Sequence, residues 1–277
     1  MSETVLYDVQ GPAAQRRVRI GSAVAGVLLL AVLALVAVRL QANGQFEGRL
    51  YEPFKDQRVY ELLLEGLLNT LKAAAYALVL ASVLGVLLAF GRLSKSPFVR
   101  VPAIAVIELF RALPLLLVIL GIVLAYPILT GSSLDPLYAL VAGLTFYNGA
   151  VIAEIIRAGI QALPRGQSEA ALSIGLTRGQ ELRLVLLPQA VRVMLPALIS
   201  QLVVLLKDTS LGFVISYAEL LRTGQQIVQN TNNPLQLFLL IAAIYIVINL
   251  ALSSLATYVE RRQRRRIGVT VAAPAEL

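Results

Sequence analysis

The chain has 277 residues, 58% of them hydrophobic, with a mean hydropathy of +0.78 and a formal net charge of +8. Soluble domains carry roughly 45–50% apolar residues, so a single water-facing fold cannot hide this much apolar surface and lipid has to act as solvent for most of it. Cysteine and histidine are both absent, which excludes disulfides and thiolate metal sites and removes the commonest general base. No GxxxxGK[ST] phosphate cradle and no nucleic-acid motif occurs, so the excess of Lys and Arg reads as the bias of cytoplasmic loops.

Crossing a hydrocarbon layer of about 30 Å takes about 20 apolar residues in an α-helix, which satisfies its own backbone. Six stretches qualify, at residues 20–40, 67–90, 101–125, 137–156, 193–217 and 235–258. The expected class is therefore an all-α, polytopic membrane protein. Residues 1–19 form an N-terminal tail, of which 1–15 are expected to be disordered. The apolar run at 20–40 is too long for a signal-peptide core and lacks a small-residue cleavage site after it, so it is expected to be a retained helix. A five-span arrangement, with that helix peripheral or removed, stays open.

Residues 41–66 form an external segment. Within it, Glu52, Pro53, Asp56 and Glu61 preclude a lipid span, and an amphipathic helix over 50–64 is expected to lie on the membrane surface. The main transmembrane body covers 67–259, and 260–277 form a basic tail whose last ten residues are expected to be disordered.

Orientation follows from Lys and Arg on alternate loops. One side holds Arg16, Arg17 and Arg19, then Arg92, Lys95 and Arg100, then Arg157, Arg165, Arg178, Arg183 and Arg192, and finally the arginines of 261–266. The other side holds only Arg39, Arg49, Lys55, Arg58, Lys72 and Arg222. Both termini are expected in the cytoplasm.

The loop at 157–192, RAGIQALPRGQSEAALSIGLTRGQELRLVLLPQAVR, is the most informative region. Pro164 and Gly166 interrupt the helix leaving the bilayer. Residues 167–174, from Gln167 on, are predicted to form a short helix in which Ala170 and Ala171 keep one face thin, and Gly175 supplies the turn. Thr177 with Gln180 matches a capping box for a second short helix, expected to end at Pro188. This reads as a finger edged by Arg165, Glu169, Arg178 and Glu181, shaped either to enter a groove on another protein or to pack on its own bundle.

The pattern of Glu169, Ala170, Ala171, Gly175, Val185, Leu187 and Pro188 resembles the EAA signature of permease subunits of binding-protein-dependent ABC importers, with Val185 where isoleucine is common. IELFRALPLLL at 107–117, AEIIRAGIQALPRGQSEAA at 153–171 and LLKDTSL at 205–211 are similar to the subfamily that imports polar amino acids. Ala112, Leu113 and Val151 depart from the subfamily's usual Gly, Thr and Tyr. VLYDVQGP at 5–12 and QFEGRLYEPF at 45–54 resemble glutamate permeases of high-GC Gram-positive bacteria.

The resemblance implies a five-helix type I importer core plus one extra N-terminal span. It implies a second permease subunit, related or identical, two cytoplasmic ATPase subunits holding ATP and Mg, and an external amino-acid-binding protein. This chain is expected to bind no cofactor itself and to be no enzyme. Arg165, Gln167, Glu169, Ala170, Ala171, Gly175, Arg178 and Pro188 would couple it to the ATPase.

Substrate contacts are sought among intramembrane polar groups, which are costly and usually functional. Counting 1.5 Å per residue puts Arg111 and Asn148 near the midplane and Lys207 in the outer half. Glu108, Arg111, Asn148, Lys207, Asp208, Thr209 and Ser210 are the candidate path residues. Glu108 and Arg111 are three apart, so interhelical pairing competes with a substrate role, and Glu154 with Arg157 is expected to anchor the fourth span. Pro114 and Pro196 mark kinks. A passive channel accounts for the spans but not the finger, and an intramembrane enzyme lacks a persuasive catalytic pair.

Overall fold

The computed structural model describes residues 11–267. The tails expected to be disordered lie outside the described residues, except that 11–15 open a helix. The chain divides into two units, residues 1–55 and 56–277.

In the first unit, Pro12–Ala42 (α1) is helical for 31 residues. It ends where Asn43 Nδ2 and the Asn43 backbone N–H both donate to the Arg39 carbonyl and Gly44 turns at φ +68°. A 3₁₀ segment, Gly48–Lys55, follows and contains Pro53. The rings of Tyr51 and Phe54 lie 6.4 Å apart.

The second unit begins at Asp56, whose carboxylate accepts the Arg58 N–H at 2.9 Å and caps Gln57–Leu93 (α2). Then come Pro97–Ala112 (α3), Leu115–Thr130 (α4), Pro136–Gln161 (α5), Arg165–Ser173 (α6) and the single turn Arg178–Gln180 (α7). A π-helical stretch, Glu181–Leu186, leads into Leu187–Asp208 (α8). A 3₁₀ segment, Thr209–Ile215, is followed by Leu220–Thr231 (α9) and Pro234–Ile267 (α10). Five helices are long and apolar enough to cross a membrane, and α3 with α4 forms a sixth as one broken span.

Three expectations are corrected. The surface helix over 50–64 and the span starting at 67 are not separate, because α2 runs unbroken for 37 residues. No proline interrupts it, and Gln57, Glu61 and Glu65 lie exposed while Val59, Leu63, Gly66 and Thr70 turn inward, so charge keeps the first turns out of lipid without ending the helix. The span at 101–125 is broken by a 104° bend. Leu113 sits extended at ψ 137° before Pro114, as the proline ring demands of the residue preceding it.

Pro188 does not end a helix. It falls in the first turn of α8, and the helix continues through it because the preceding π turn relieves the carbonyl that the ring would strike. The fifth span changes from α to 3₁₀ geometry after Asp208 and ends at Ile215, close to the expected 217, and α9, absent from the sequence reading, follows after Ser216 takes a left-handed φ of 63°.

Apolar side chains gain little by leaving lipid for each other, so membrane helices associate through close packing at small residues. α2 supplies these at every fourth position: Ala73, Ala77, Ala81, Gly85 and Ala89 are all buried. α5 is the partner. A Cβ placed on Gly85 would stand 2.6 Å from Ile152 Cγ2 and 3.0 Å from the Gly149 carbonyl, and one on Gly149 would meet Leu84 at 3.0 Å. Two cores form along this seam. One gathers Ala77, Leu115, Ile119, Leu140, Leu144 and Leu205; the other gathers Ala89, Ile107, Ile152, Ile156 and Met194. The break at Leu113–Pro114 lets α3 serve the second core and α4 the first.

Gly85→Val is expected to force α2 from α5 and destabilise the bundle by about 1–3 kcal/mol, seen as a lower melting temperature in detergent, whereas Val83→Ala on the exposed face of α2 leaves it unchanged.

Candidate functional site: the projecting finger and the polar groups of the bundle

α5 ends at Gln161, and Pro164, fixed in an extended conformation, starts α6. α6 closes on Gly175 at φ +83°, with the Gly175 N–H bonded to the Leu172 carbonyl and the Leu176 N–H to the Ala171 carbonyl. These two bonds are the Schellman pairing, which needs a left-handed residue where Gly175 stands. The expected capping box is present. Thr177 Oγ1 accepts the Gln180 N–H at 3.4 Å, and Gln180 Oε1 accepts the Thr177 N–H at 2.8 Å.

The finger is stapled from inside by Glu181, which the sequence reading placed on its edge but which is 3% exposed. Ser168 Oγ donates to its carboxylate, Arg178 Nη1 approaches it at 3.1 Å, and the same Arg178 nitrogen reaches Ser168 Oγ at 3.3 Å. Gln189 Nε2 donates to Gln167 Oε1 at 3.1 Å and ties α6 to α8. Ala171 is buried in this seam. Arg165, Gln167, Glu169 and Ala170 are exposed, and Ile174 stands 78% exposed at the tip. A Cβ on Gly175 would meet nothing within 4 Å, so the space outside this turn is open.

Beside the root of the finger, Glu154 on α5 gathers three arginines. Arg92 Nη1 lies at 2.8 Å, Arg157 Nη2 at 3.0 Å and Arg111 Nη1 at 3.6 Å. Glu108 on α3 shares Arg92 at 3.0 Å and Arg111 at 3.7 Å. The network joins the last turns of α2 and α3 to α5. Arg111 thus belongs with Arg92, one residue from the end of α2. The midplane depth counted from residue 101 does not hold, because α3 is not a full span. Arg92 was not foreseen as a partner, since nothing in its local sequence indicates the fold that brings it to Glu154.

Asn148 is buried between α5 and α8. It donates to the Leu144 carbonyl at 2.9 Å and accepts from Gln201 Nε2 at 2.7 Å. Thr209 and Ser210 spend their hydroxyls on the Leu206 and Lys207 carbonyls at the end of α8. Asp208 is half-buried. Lys207 is exposed into a cavity of about 770 Å³ between α8 and α10, lined also by Val203, Ser210, Tyr245 and Asn249, and has no hydrogen bond or ion pair among the described residues. The candidate path residues therefore do not form one cluster: Glu108 and Arg111 lie at the root of the finger, Asn148 between helices, and Lys207 to Ser210 at the far end of α8.

Glu219 escaped the sequence reading. Fully buried, it caps α9 by accepting the Leu221 and Arg222 N–H groups at 2.8 and 2.7 Å, and it takes the Tyr245 hydroxyl at 3.1 Å. Burial pushes its carboxyl above the usual range against these donors.

With α1 in the first unit, and α2, α5, α8, α10 and the broken pair α3 and α4 in the second, long and apolar enough to cross a membrane, the chain is an integral, multi-pass protein of the cell membrane. The chain belongs to the family of binding-protein-dependent transport system inner membrane components, whose model matches residues 81–265. It is 42% identical over 231 residues to the glutamate transport system permease protein GluD of Corynebacterium glutamicum, covering 81% of this chain and 84% of that one. It is 39% identical to the glutamate/aspartate import permease protein GltK of Escherichia coli, covering 72% and 92%. Among solved structures, an amino acid ABC transporter crystallised with histidines superposes with a TM-score of 0.70 at 35% identity, over 74% of this chain and 95% of that one. The methionine transporter MetNI shares the fold at a TM-score of 0.62 and 20% identity.

Glu154→Gln leaves Arg92, Arg111 and Arg157 without their shared carboxylate and is expected to cost about 2–3 kcal/mol, read as a lower unfolding midpoint. The milder Glu108→Gln is expected to cost under about 1 kcal/mol, since that carboxylate is half exposed.

Proposed function

We propose that this chain is the permease subunit of an ATP-driven, binding-protein-dependent importer of polar amino acids, with glutamate the main cargo. The observation that carries the reading is the finger. Its inner side is locked by Glu181, Ser168 and Arg178, whereas Arg165, Gln167, Glu169, Ala170 and Ile174 face outward. A rigid handle with an exposed contact side suits attachment to a motor. The Lys and Arg distribution supports a cytoplasmic position for it and for both termini.

In this reading two ATPase subunits, which hold ATP and Mg, seat on the finger of this chain and on that of a second, related permease. Closure of the ATPases moves the fingers, and the bundles rock between inward-facing and outward-facing states. An external binding protein delivers the amino acid, and Lys207 supplies a countercharge for a carboxylate in the outer half of the path. The names of the relatives GluD and GltK support an acidic cargo. The ion network on Glu154 then sits where motion of the finger enters the bundle, so Glu108 and Arg111 act in holding helices together rather than in binding cargo.

The test is reconstitution of the complex in vesicles with its ATPase, second permease and binding protein. ATP-dependent glutamate uptake, competed by aspartate more than by arginine, is the expected result, and absence of ATP-dependent amino-acid uptake overturns the reading. Gly175→Leu, whose side chain would be forced into a left-handed backbone and into the open space outside the turn, is expected to abolish uptake-coupled ATP hydrolysis in a complex that still assembles.

A further inference from the structure

In the first unit, α1 enters its apolar run at Ile20, and Arg16, Arg17 and Arg19 stand immediately before it. All three are exposed, and their guanidinium groups form no ion pair or hydrogen bond among the described residues. The first turn of α1 holds no acidic residue, and the macrodipole at a helix N-terminus disfavours cations. Nothing within the helix therefore balances this charge. Val18 and Ile20 are 54% and 55% exposed, so lipid-facing surface begins at the same level and the arginines lie within about 6 Å of its edge along the axis.

In the second unit, the end of α10 has the same composition. Its apolar stretch closes at Leu255, and Tyr258, 61% exposed, is an aromatic of the kind that marks the membrane–water interface. The backbone stays helical to Ile267. Arginine occupies positions 261, 262, 264, 265 and 266, about 4 to 12 Å past Tyr258 along the axis, and Glu260 is the one acid in residues 256–267. Four of the arginine pairings, 261 with 264 and 265 and 262 with 265 and 266, fall at the i,i+3 and i,i+4 spacings where like charges oppose a helix. The macrodipole at a C-terminus offsets part of that repulsion. The rest calls for anions from outside the chain.

Register and depth select the anion. The five positions cover about 200° of the helix circumference, more than a single groove on a protein partner meets. A layer of anions surrounding the rod just beyond the hydrocarbon edge does meet it, and the guanidinium fork matches a phosphate group bidentately. We propose that the basic ends of α1 and α10 bind anionic phospholipid headgroups of the cytoplasmic leaflet, so that the chain gathers these lipids around itself and each helix end is held at headgroup level. The proposal rests on the cytoplasmic placement of both termini given above and adds a lipid partner to it.

Because the chain has no cysteine, Gln263→Cys and, separately, Ala14→Cys each place one fluorophore at one helix end. In vesicles of phosphatidylcholine with a minor share of phosphatidylglycerol, energy transfer to headgroup-labelled phosphatidylglycerol is expected to exceed transfer to headgroup-labelled phosphatidylcholine severalfold. About 0.5 M salt is expected to remove most of that excess. Arg264→Gln is expected to weaken the preference at the α10 end about fivefold. Glutamine at all five α10 positions is expected to abolish it there, whereas lysine at the same five keeps most of it. The proposal is overturned if transfer is indifferent to lipid charge, if the glutamine variants match the unsubstituted chain, or if the preference survives high salt. A preference seen only with the ATPase bound also overturns it and assigns the arginines to an acidic protein surface. ATP-dependent glutamate uptake is measured in the same vesicles: lipid indifference with uptake intact removes this site alone, and absent uptake removes the importer reading. Should the glutamine variants not assemble, the salt titration of the labelled chain decides.

Discussion

The structure depends on how closely α2 can approach α5. In lipid, burying a leucine against another leucine gains little, so two helices hold together only where their surfaces fit and dispersion contacts are dense. Buried small residues at every fourth position of α2 provide that fit, and the interlocked positions of Gly85, Gly149, Ile152 and Leu84 show how little slack remains. α3, α4 and α8 then pack on the pair. The finger, which starts from the end of α5, takes its direction from this seam.

Electrostatics adds a second layer at one end of the bundle. Glu154 is mostly buried yet meets three guanidinium groups, so its charge is more than offset and the surplus is positive. A network of this kind fixes relative helix positions more than it adds stability, since removing ions from water costs nearly what their pairing returns. Its place between the last turn of α2, the end of α3 and the root of the finger makes it the polar junction between the apolar seam and the handle.

Much of this was legible in the sequence, for identifiable reasons. Apolar length marks a membrane helix whatever it packs against, so each apolar stretch was found in order, although α2 begins at Gln57 rather than 67. The turn at Gly175 and the box at Thr177 and Gln180 are local backbone chemistry and were readable as such. What was missed depends on neighbours distant in sequence. Hydropathy averages over the bend at Pro114, and the charges at the start of α2 indicated water without indicating that the helix goes on. Pro188 was read by its usual effect, which a π turn suspends. Glu181, Arg92 and Glu219 look like surface charges until the chain is folded, because only the fold supplies Ser168, Glu154 and Tyr245 as partners. For the site, residue types were readable, whereas their separation into three places was not.

The length of α2 has a further consequence. At 37 residues it measures about 55 Å, against a hydrocarbon thickness near 30 Å, and no ordinary tilt absorbs the difference. Part of the rod must stand in water, and its first ten residues, with Gln57, Arg58, Glu61 and Glu65 among them, are chemically suited to that. A helix with a wettable overhang tolerates bilayers of different thickness, because the lipid boundary can move along it by a turn without any change in the helix or its packing. The central strut of the bundle thereby keeps its shape while the lipid around it varies.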